Sequence, residues 1–283
     1  MNKKTEEESK MDIRYRWIDG PGGRLRLLIL SPGPGANRPG VLWIHGGGYC
    51  TGMPEMALLS RAADLVKHGG AVVVAPAYRL APKHPWPAGL RVAQAALRWM
   101  LAQEEELGLR RDQIMVGGES AGGGMTAALC MLERDCGGVK IAFQMPLYPM
   151  LDDRDTPSSR DNHAPVWNTA RNHKAWAAYL RGTDRDALSP YAAPARQTDY
   201  RGLPPCYTFV GDAEPFYEET KTFVSDLRAA GVAAALDVYP GQFHSFDLFL
   251  PFSRDGRRAR ALFLQRFRAA CGAYFADNDS KKA

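Results

Sequence analysis

One serine most constrains what this chain can fold into. Ser120 lies between an apolar run at 113–116, which predicts a short buried strand, and a run at 126–132, which predicts a helix. Gly118 stands two residues before it and Gly122 two residues after it. A serine at a strand-to-helix turn takes a strained backbone, and only small neighbours allow the two elements to approach so closely. The pattern predicts a hydroxyl above a sheet, at a helix N-terminus whose free N–H groups can face an anion.

Strand and helix patterns alternate along most of the 283 residues. This alternation predicts a single large α/β domain, with a mostly parallel sheet and helices on both faces. The predicted strands cover residues 14–18, 24–30, 41–44, 71–75, 113–116, 139–145, 206–210 and 234–239. Besides the helix after Ser120, the predicted helices cover residues 55–68, 88–107, 216–230 and 256–275.

The alternation stops in the polar segment 151–200, which is too long for a connecting loop. We therefore expect a helical insertion there, between two parts of the core at 11–150 and 201–277. The polar segments 1–10 and 278–283 are predicted to be tails, the first of them disordered.

Composition restricts the partners and the compartment. The net charge of +5 comes from basic residues scattered among acidic ones, which indicates a solvated surface and no role in nucleic-acid or membrane binding. No apolar run is long enough to span a bilayer, and the first ten residues lack the apolar core of a signal peptide. The five cysteines fit no metal-site spacing and are predicted to be buried thiols in a reducing compartment. We expect a cytoplasmic protein.

A catalytic serine needs a base, and the base needs an acid that orients it. Among the six histidines, only His244 directly follows the last predicted strand, in a loop that contains glycine. Functional groups of an open parallel sheet gather where strands end, which makes His244 the candidate base. The loop after the preceding strand contains Asp212 and Glu214, and either carboxylate can hold an imidazole N–H.

The glycine turn after strand 41–44 is the second candidate element. His45, Gly46, Gly47 and Gly48 would present backbone N–H groups with no Cβ to block a substrate carbonyl. A phosphate cradle would need a following lysine or a G-x-G-x-x-G pattern, and neither is present. The residues alone therefore leave two interpretations of this turn, an oxyanion hole and a flexible turn.

Several motifs in a fixed order resemble the hormone-sensitive-lipase-like branch of the α/β-hydrolase esterases. They are HGGGY at 45–49, YRLAPKHPWPA at 78–88 and GESAGG at 118–123, with SPYAAP at 189–194 and GLPP at 202–205 in support. The resemblance covers most of the chain and implies an α/β-hydrolase fold with a helical cap.

The same resemblance assigns roles to individual residues. It implies that Ser120 is the nucleophile and His244 the general base. The acid of the family usually lies in a D-P-[LF]-R-[DE]-E segment, which here reads EPFYEE at 214–219. Glutamate stands where aspartate is usual, so the resemblance favours Glu214 over Asp212 as the acid.

The oxyanion hole that the resemblance implies consists of the backbone N–H groups of Gly47, Gly48 and Ala121. No metal and no organic cofactor are implied, and a homodimer is plausible. Because His45 comes early in the chain, the cap is expected to be mostly the insertion 151–200, with an open mouth.

These residues together predict a serine carboxylester hydrolase for small esters with short acyl chains. Two alternatives remain at this stage. An amidase or peptidase would use the same residues but usually adds a charged site for a peptide terminus, and no such site is marked in the sequence. A non-catalytic receptor for a small ligand on this fold tends to lose the base, and here Ser120 and His244 are both present.

Overall fold

The apolar runs form one eight-stranded sheet in the computed structural model, which describes residues 11–278. The strands are β1 Asp12–Gly20, β2 Gly23–Ser31, β3 Arg38–Ile44, β4 Val72–Pro76, β5 Leu109–Glu119, β6 Phe143–Leu147, β7 Cys206–Gly211 and β8 Ala234–Tyr239. Their order across the sheet is β1-β2-β4-β3-β5-β6-β7-β8. Strands β3 to β8 run parallel, whereas the β1–β2 hairpin pairs antiparallel with β4. The predicted α/β fold class is confirmed.

Helices cover both faces of this sheet. They are α1 Arg61–Gly69, α2 Ala88–Ala102, α3 Glu104–Leu107, α4 Ala121–Asp135, α5 Thr169–Tyr179, α6 Tyr217–Ala229, α7 Phe246–Phe249 and α8 Arg254–Ala273. Successive residues of a strand point to opposite faces, so Val41 and Trp43 pack with α1 and α8, and Leu42 and Ile44 pack with α2 and α4. The near-continuous apolar strands of the sequence follow from this burial on both faces.

Three predicted elements differ from the structure. The helix predicted at 55–68 is a 3₁₀ helix, Pro54–Leu59, followed by α1. It breaks at Ser60, whose backbone is extended and whose Oγ accepts a hydrogen bond from the N–H of Ala62 at 3.1 Å. The helix predicted at 88–107 is interrupted at Gln103, between α2 and α3.

The strand predicted at 139–145 begins later, at Phe143. At Val139 the backbone N–H donates to the Glu133 carboxylate, at 2.6 Å, instead of joining the sheet. The prediction missed this side-chain contact, because apolar periodicity does not reveal which partner a backbone group takes.

Between residues 151 and 200 the chain contains α5 and a 3₁₀ helix, Pro194–Arg196. Asn168 caps α5 by accepting a hydrogen bond from the N–H of Arg171 at 3.1 Å. The rest of this segment has no regular secondary structure. It runs over the carboxyl edge of the parallel strands, where Val166 and Trp167 reach the site described below.

Residues 1–10 and 279–283, predicted to be polar tails, lie outside the described residues. Asn278 is attached to the core, since its Nδ2 donates to the carbonyls of Arg111 and Lys140. All five cysteines are free thiols. Burial was predicted for all of them and is confirmed for Cys130 and Cys206, whereas Cys50 and Cys271 are half-buried and Cys136 is exposed. Across residues 11–278, no helix combines the length and apolar character that crossing a membrane requires.

Candidate active site

Ser120 occupies the single-residue turn between β5 and α4. Its φ of +57° and ψ of −119° are uncommon for a residue with a Cβ and mark local strain. Three backbone hydrogen bonds hold this conformation. The N–H of Ser120 donates to the carbonyl of Leu147, and its own carbonyl accepts from the N–H groups of Gly124 and Met150, each at 3.0 Å. The strained backbone predicted from the sequence is therefore present.

Two glycines allow the turn to form. A Cβ added at Gly118 or at Gly122 would overlap the backbone carbonyl oxygen of Ile44 at the end of β3. The first turn of α4 thus passes so close to β3 that no side chain fits between them. This close passage places Ser120 at the carboxyl edge of the sheet, as its small neighbours predicted.

His244 connects the serine to a carboxylate. Its Nε2 lies 2.9 Å from Ser120 Oγ, and its Nδ1 is hydrogen-bonded to Glu214 Oε2. Because a carboxylate can only accept, Nδ1 carries the proton and Nε2 is free to accept the serine proton. All three side chains are buried. The structure brings together the serine, the histidine and one of the two carboxylates that the sequence proposed.

The position of Glu214 explains how a glutamate reaches the ring. Its second oxygen, Oε1, accepts a hydrogen bond from the N–H of Gly211 at 3.1 Å. Asp212, the alternative acid, is exposed, and its Oδ1 accepts from the N–H of Gly241 at 2.6 Å. Asp212 therefore fastens the loop after β8 to the loop after β7, and Glu214 faces His244.

Aromatic rings surround the imidazole on several sides. Tyr148 and Phe216 meet His244 edge-on, with ring centroids 5.1 and 5.0 Å away, and Trp167 lies at 6.2 Å. These rings exclude water from the histidine and its carboxylate, which strengthens the hydrogen bonds between them.

The glycine turn lies beside Ser120. The carbonyl of Gly47 accepts from the N–H groups of Cys50 and Thr51, both at 3.0 Å, and Gly47 and Gly48 have positive φ values of 113° and 58°. Within residues 11–278 the N–H groups of Gly47 and Gly48 make no backbone hydrogen bond. Ala121, the first residue of α4, presents a further N–H at the helix N-terminus.

The side chain of His45 supports this turn. Its ring stacks on Tyr78 with centroids 4.2 Å apart, and its Nδ1 donates to the carbonyl of Gly46 at 2.7 Å. Burial lowers the pKa of His45 to about 4, so that the ring is neutral at pH 7. A neutral ring in contact with the turn adds no positive charge beside the candidate oxyanion donors.

A cavity of about 440 Å³ opens above the serine. Its floor is formed by Ser120 and His244 with Gly46 and Gly47, and its walls are mostly apolar. The wall residues are Met56, Leu59, Val166, Trp167, Leu248 and Phe249. They come from three segments: the 3₁₀ helix before α1, the insertion, and α7. The expected contribution of the insertion is therefore shared with two segments of the core.

A buried charged cluster lies behind the serine. Glu119 accepts from the backbone N–H of Arg61 at 3.3 Å, and the Arg61 guanidinium lies 3.2 Å from Asp247. Burial, together with the nearby charge of Asp247, raises the pKa of Glu119 to about 8. Burial likewise raises the pKa of Asp247 to about 6. Arg61 thus links Glu119, which precedes Ser120, to Asp247, which lies three positions after His244.

The motifs did not assign roles to Arg61, Asp247 or Trp167. Glu119 is part of the GESAGG motif, and a charged residue next to a buried serine is itself a signal of a buried partner. The sequence signal for Trp167 is a large aromatic residue within a polar insertion. Its indole ring covers Gly48 so closely that a Cβ there would overlap it.

The fold and this arrangement define a class of protein, the α/β-hydrolases, in which a serine at a strand-to-helix turn attacks a carbonyl carbon. Comparison with known families agrees: residues 41–248 match a family model described as alpha/beta hydrolase fold. The chain belongs to this family, and the resemblance to hormone-sensitive-lipase-like esterases is confirmed.

Individual relatives are similar over most of the chain. Carboxylesterase NlhH of Mycobacterium tuberculosis is 35% identical over 237 residues, which cover 80% of this chain and 73% of the relative. Esterase LipI of the same organism is 36% identical over 234 residues, which cover 76% of this chain and 68% of the relative. Among solved structures, a bacterial heroin esterase superposes with a TM-score of 0.87 at 32% identity, covering 92% of this chain and 84% of the other. An esterase from Pyrobaculum calidifontis superposes with a TM-score of 0.84 at 32% identity, and the superposition covers 93% of this chain and 84% of the other.

Proposed function

We propose that this protein hydrolyses small carboxylic esters with short acyl chains through an acyl-enzyme formed on Ser120. The family and the esterases among its relatives support the general class, a carboxylesterase-type hydrolase. The observation that carries the finer proposal is the 2.9 Å contact between His244 Nε2 and Ser120 Oγ, with Glu214 on the other side of the ring.

The proposed first half-reaction forms the acyl-enzyme. Ser120 Oγ attacks the ester carbonyl carbon while His244 Nε2 accepts the serine proton. Negative charge develops on the carbonyl oxygen, where the N–H groups of Gly47, Gly48 and Ala121 donate hydrogen bonds. The imidazolium then gives its proton to the alcohol oxygen, and the alcohol leaves.

The second half-reaction releases the acid. His244 takes a proton from water, which attacks the acyl carbon, and the proton then returns to Ser120 as the carboxylic acid departs. Glu214 does not react. It fixes the tautomer of His244 and stabilises the positive charge that the ring carries in both halves.

The size of the site supports a small substrate. The 440 Å³ cavity is bounded by Trp167 on one side and by Leu248 and Phe249 on another. We propose that segment 151–200 acts as the cap and that Val166 and Trp167 are its contribution to the acyl or alcohol subsite. The five free thiols suit the reducing, cytoplasmic compartment that we propose for the protein.

The test is hydrolysis of p-nitrophenyl esters from acetate to dodecanoate. Turnover should fall with chain length, and Ser120→Ala or His244→Ala should lower kcat by roughly 10⁴ or more. Ser225→Ala and His163→Ala, at exposed positions outside the site, are the matched controls. Folded wild-type protein that hydrolyses no ester would contradict the proposal and favour the amidase or receptor alternative.

Labelling gives a second, independent readout. A phosphonate ester of p-nitrophenol should phosphonylate Ser120 with loss of p-nitrophenol, and peptide mass spectrometry would locate the adduct. An adduct on any other residue would show that Ser120 is not the nucleophile.

A further inference from the structure

Exposed apolar side chains are concentrated around the mouth of the cavity. Two short segments, 53–59 and 249–252, supply six of the exposed large apolar side chains among the described residues. These six, which we call the apolar rim, are Met53, Met56, Leu59, Phe249, Leu250 and Phe252. Leu59 and Phe252 are 86% and 83% exposed, so they bury almost nothing within this chain. Such a concentration of apolar surface indicates an interaction site.

The apolar rim is continuous with the active site. Met56, Leu59 and Phe249 line the catalytic cavity, and Leu59 also lines a neighbouring surface cavity of about 570 Å³ together with Phe252. The apolar surface thus extends from the cavity mouth, over Leu59, to the start of α8.

Positive charge borders the apolar rim. The neighbouring cavity is also lined by basic side chains from α1 and α8, which are the buried Arg61 together with Lys67, His68, Arg257, Arg260 and Arg268. The acidic side chain that lines this cavity belongs to Asp64, which is buried and forms ion pairs with Arg61 and Arg260. Lys67 and Arg257 are exposed and, within residues 11–278, have no ion-pair or hydrogen-bond partner for their side chains.

Helix α8 itself is strongly basic. Its 20 residues include six arginines and a single acid, Asp255, which accepts a hydrogen bond from Gln242. The overall charge balance of the chain, in which basic residues are scattered among acidic ones, indicated no membrane role, but segment 254–268 departs from it with six arginines against one acid. The fold gathers several of them next to the apolar rim.

We propose that the apolar rim and the neighbouring cations of α1 and α8 dock onto an anionic lipid surface. Aromatic and aliphatic side chains flanked by arginine and lysine suit the boundary between acyl chains and charged headgroups. An uncharged apolar partner would gain nothing from the cations. The docking is peripheral and requires no membrane-spanning helix.

Docking in this orientation would turn the catalytic cavity toward the lipid. Esters dissolved in the lipid would then reach Ser120 through the mouth that Leu59 and Phe249 line. This consequence rests on the proposed function, whereas the docking itself does not depend on hydrolysis and can be measured without it.

Sedimentation with vesicles tests the proposal. The full chain should sediment with phosphatidylglycerol-containing vesicles much more than with pure phosphatidylcholine vesicles. About 1 M salt, which shortens the Debye length to about 3 Å, should release it. Lys67→Gln and Arg257→Gln should each lower the partition coefficient about fivefold, and Phe252→Ser roughly tenfold.

Matched controls lie far from the apolar rim. Phe275→Ser removes an exposed aromatic next to Arg110, near the amino end of β5, and Arg91→Gln removes an exposed cation on α2, across the sheet from α8. Both should sediment like wild type. Because residues 67, 91, 252, 257 and 275 lie outside the catalytic cavity, all five variants should hydrolyse p-nitrophenyl acetate at the wild-type rate.

Three outcomes would overturn the proposal. Wild-type protein that stays in the supernatant with anionic vesicles excludes lipid docking. If the partition coefficient falls equally for Phe252→Ser and Phe275→Ser, or equally for Arg257→Gln and Arg91→Gln, the protein adsorbs to the vesicles without a specific docking surface. If light scattering shows a dimer that Phe252→Ser converts to a monomer, and vesicles do not bind, the apolar rim is an interface between two copies of the chain.

Discussion

The carboxylate beside His244 is held from two sides. Gly211 N–H binds one oxygen of Glu214, and the imidazole Nδ1 binds the other. The longer glutamate side chain is accommodated because residue 214 lies in the loop that precedes α6, three positions beyond Gly211. Asp212 is turned toward Gly241 instead.

Substitution of the two acids should therefore have unequal effects. Glu214→Gln would keep the shape but remove the charge and favour the wrong tautomer of His244, so that kcat for p-nitrophenyl acetate should fall by about 10³–10⁴. Asp212→Asn is the matched control and should lower kcat by less than about tenfold. Equal decreases in kcat for the two variants, or a larger decrease for Asp212→Asn, would contradict the assignment of Glu214.

Glu119 gives a second prediction at the residue scale. Burial raises its pKa from the ordinary 4.5 to about 8, so between these pH values it ionises in the unfolded chain but stays protonated in the folded protein. The unfolded state then binds fewer protons, and the free energy of unfolding falls as pH rises. Above about pH 8 this loss is complete.

Glu119→Gln should remove this contribution. Between pH 5 and pH 8, the free energy of unfolding should fall less in the variant than in wild type, by about 2 kcal/mol or more. Urea unfolding at both pH values measures the difference. Glu105→Gln, on the exposed side of α3, is the control and should follow wild type. If the free energy of unfolding falls equally in Glu119→Gln and in wild type between these two pH values, Glu119 does not have the raised pKa.

At the scale of elements, the passage of β5 into α4 controls the position of Ser120. The backbones of β3 and α4 approach through Gly118 and Gly122, where a Cβ would overlap the carbonyl oxygen of Ile44. Backbone atoms cannot rotate away as a flexible side chain can. The close packing of these two elements is therefore sensitive to a single methyl group.

Gly122→Ala should destabilise the protein by about 1–3 kcal/mol, because the added methyl forces β3 and α4 apart. Gly272 is the matched control: it also lies in a helix, but a Cβ there meets no atom within 4 Å. Gly272→Ala should be neutral or stabilising by up to about 0.5 kcal/mol. Urea unfolding measures both, and a Gly122→Ala variant as stable as wild type would exclude the steric argument.

At the scale of the whole molecule, three segments that are distant in sequence form one cavity. The 3₁₀ helix Pro54–Leu59, the insertion and α7 each contribute a wall, and Trp167 lies between Gly48 and His244. Val166, just before it, has a positive φ of 67°, which is rare for a β-branched residue. The backbone at this point is strained where the insertion meets the active site.

Trp167→Ala should widen the cavity and shift the preference toward longer acyl chains. The ratio of kcat/KM for p-nitrophenyl decanoate to that for acetate should rise about tenfold, since the added methylenes gain a pocket. Trp17→Ala, at an exposed tryptophan on β1, is the control and should leave the ratio unchanged. An unchanged ratio in Trp167→Ala would show that this ring does not limit acyl length.

The sequence alone determined the class of fold and the location of the site. Residue periodicity defines strands and helices locally, and glycine spacing around Ser120 is a local requirement of the turn. His244 and the acid-bearing loop could be located from their order along the chain, because parallel strands bring their carboxyl ends to one edge. None of these inferences needs a contact between distant residues to be known.

Only the tertiary structure decided which carboxylate faces His244, which segments form the cavity, and where the cations of α8 lie relative to the apolar rim. The chemistry of Asp212 and Glu214 left either acid possible and only the family resemblance favoured Glu214, whereas the backbone contacts of Gly241 and Gly211 separate the two side chains. The apolar rim likewise joins residues almost 200 positions apart. Such contacts depend on the packing of whole elements, which local patterns do not encode.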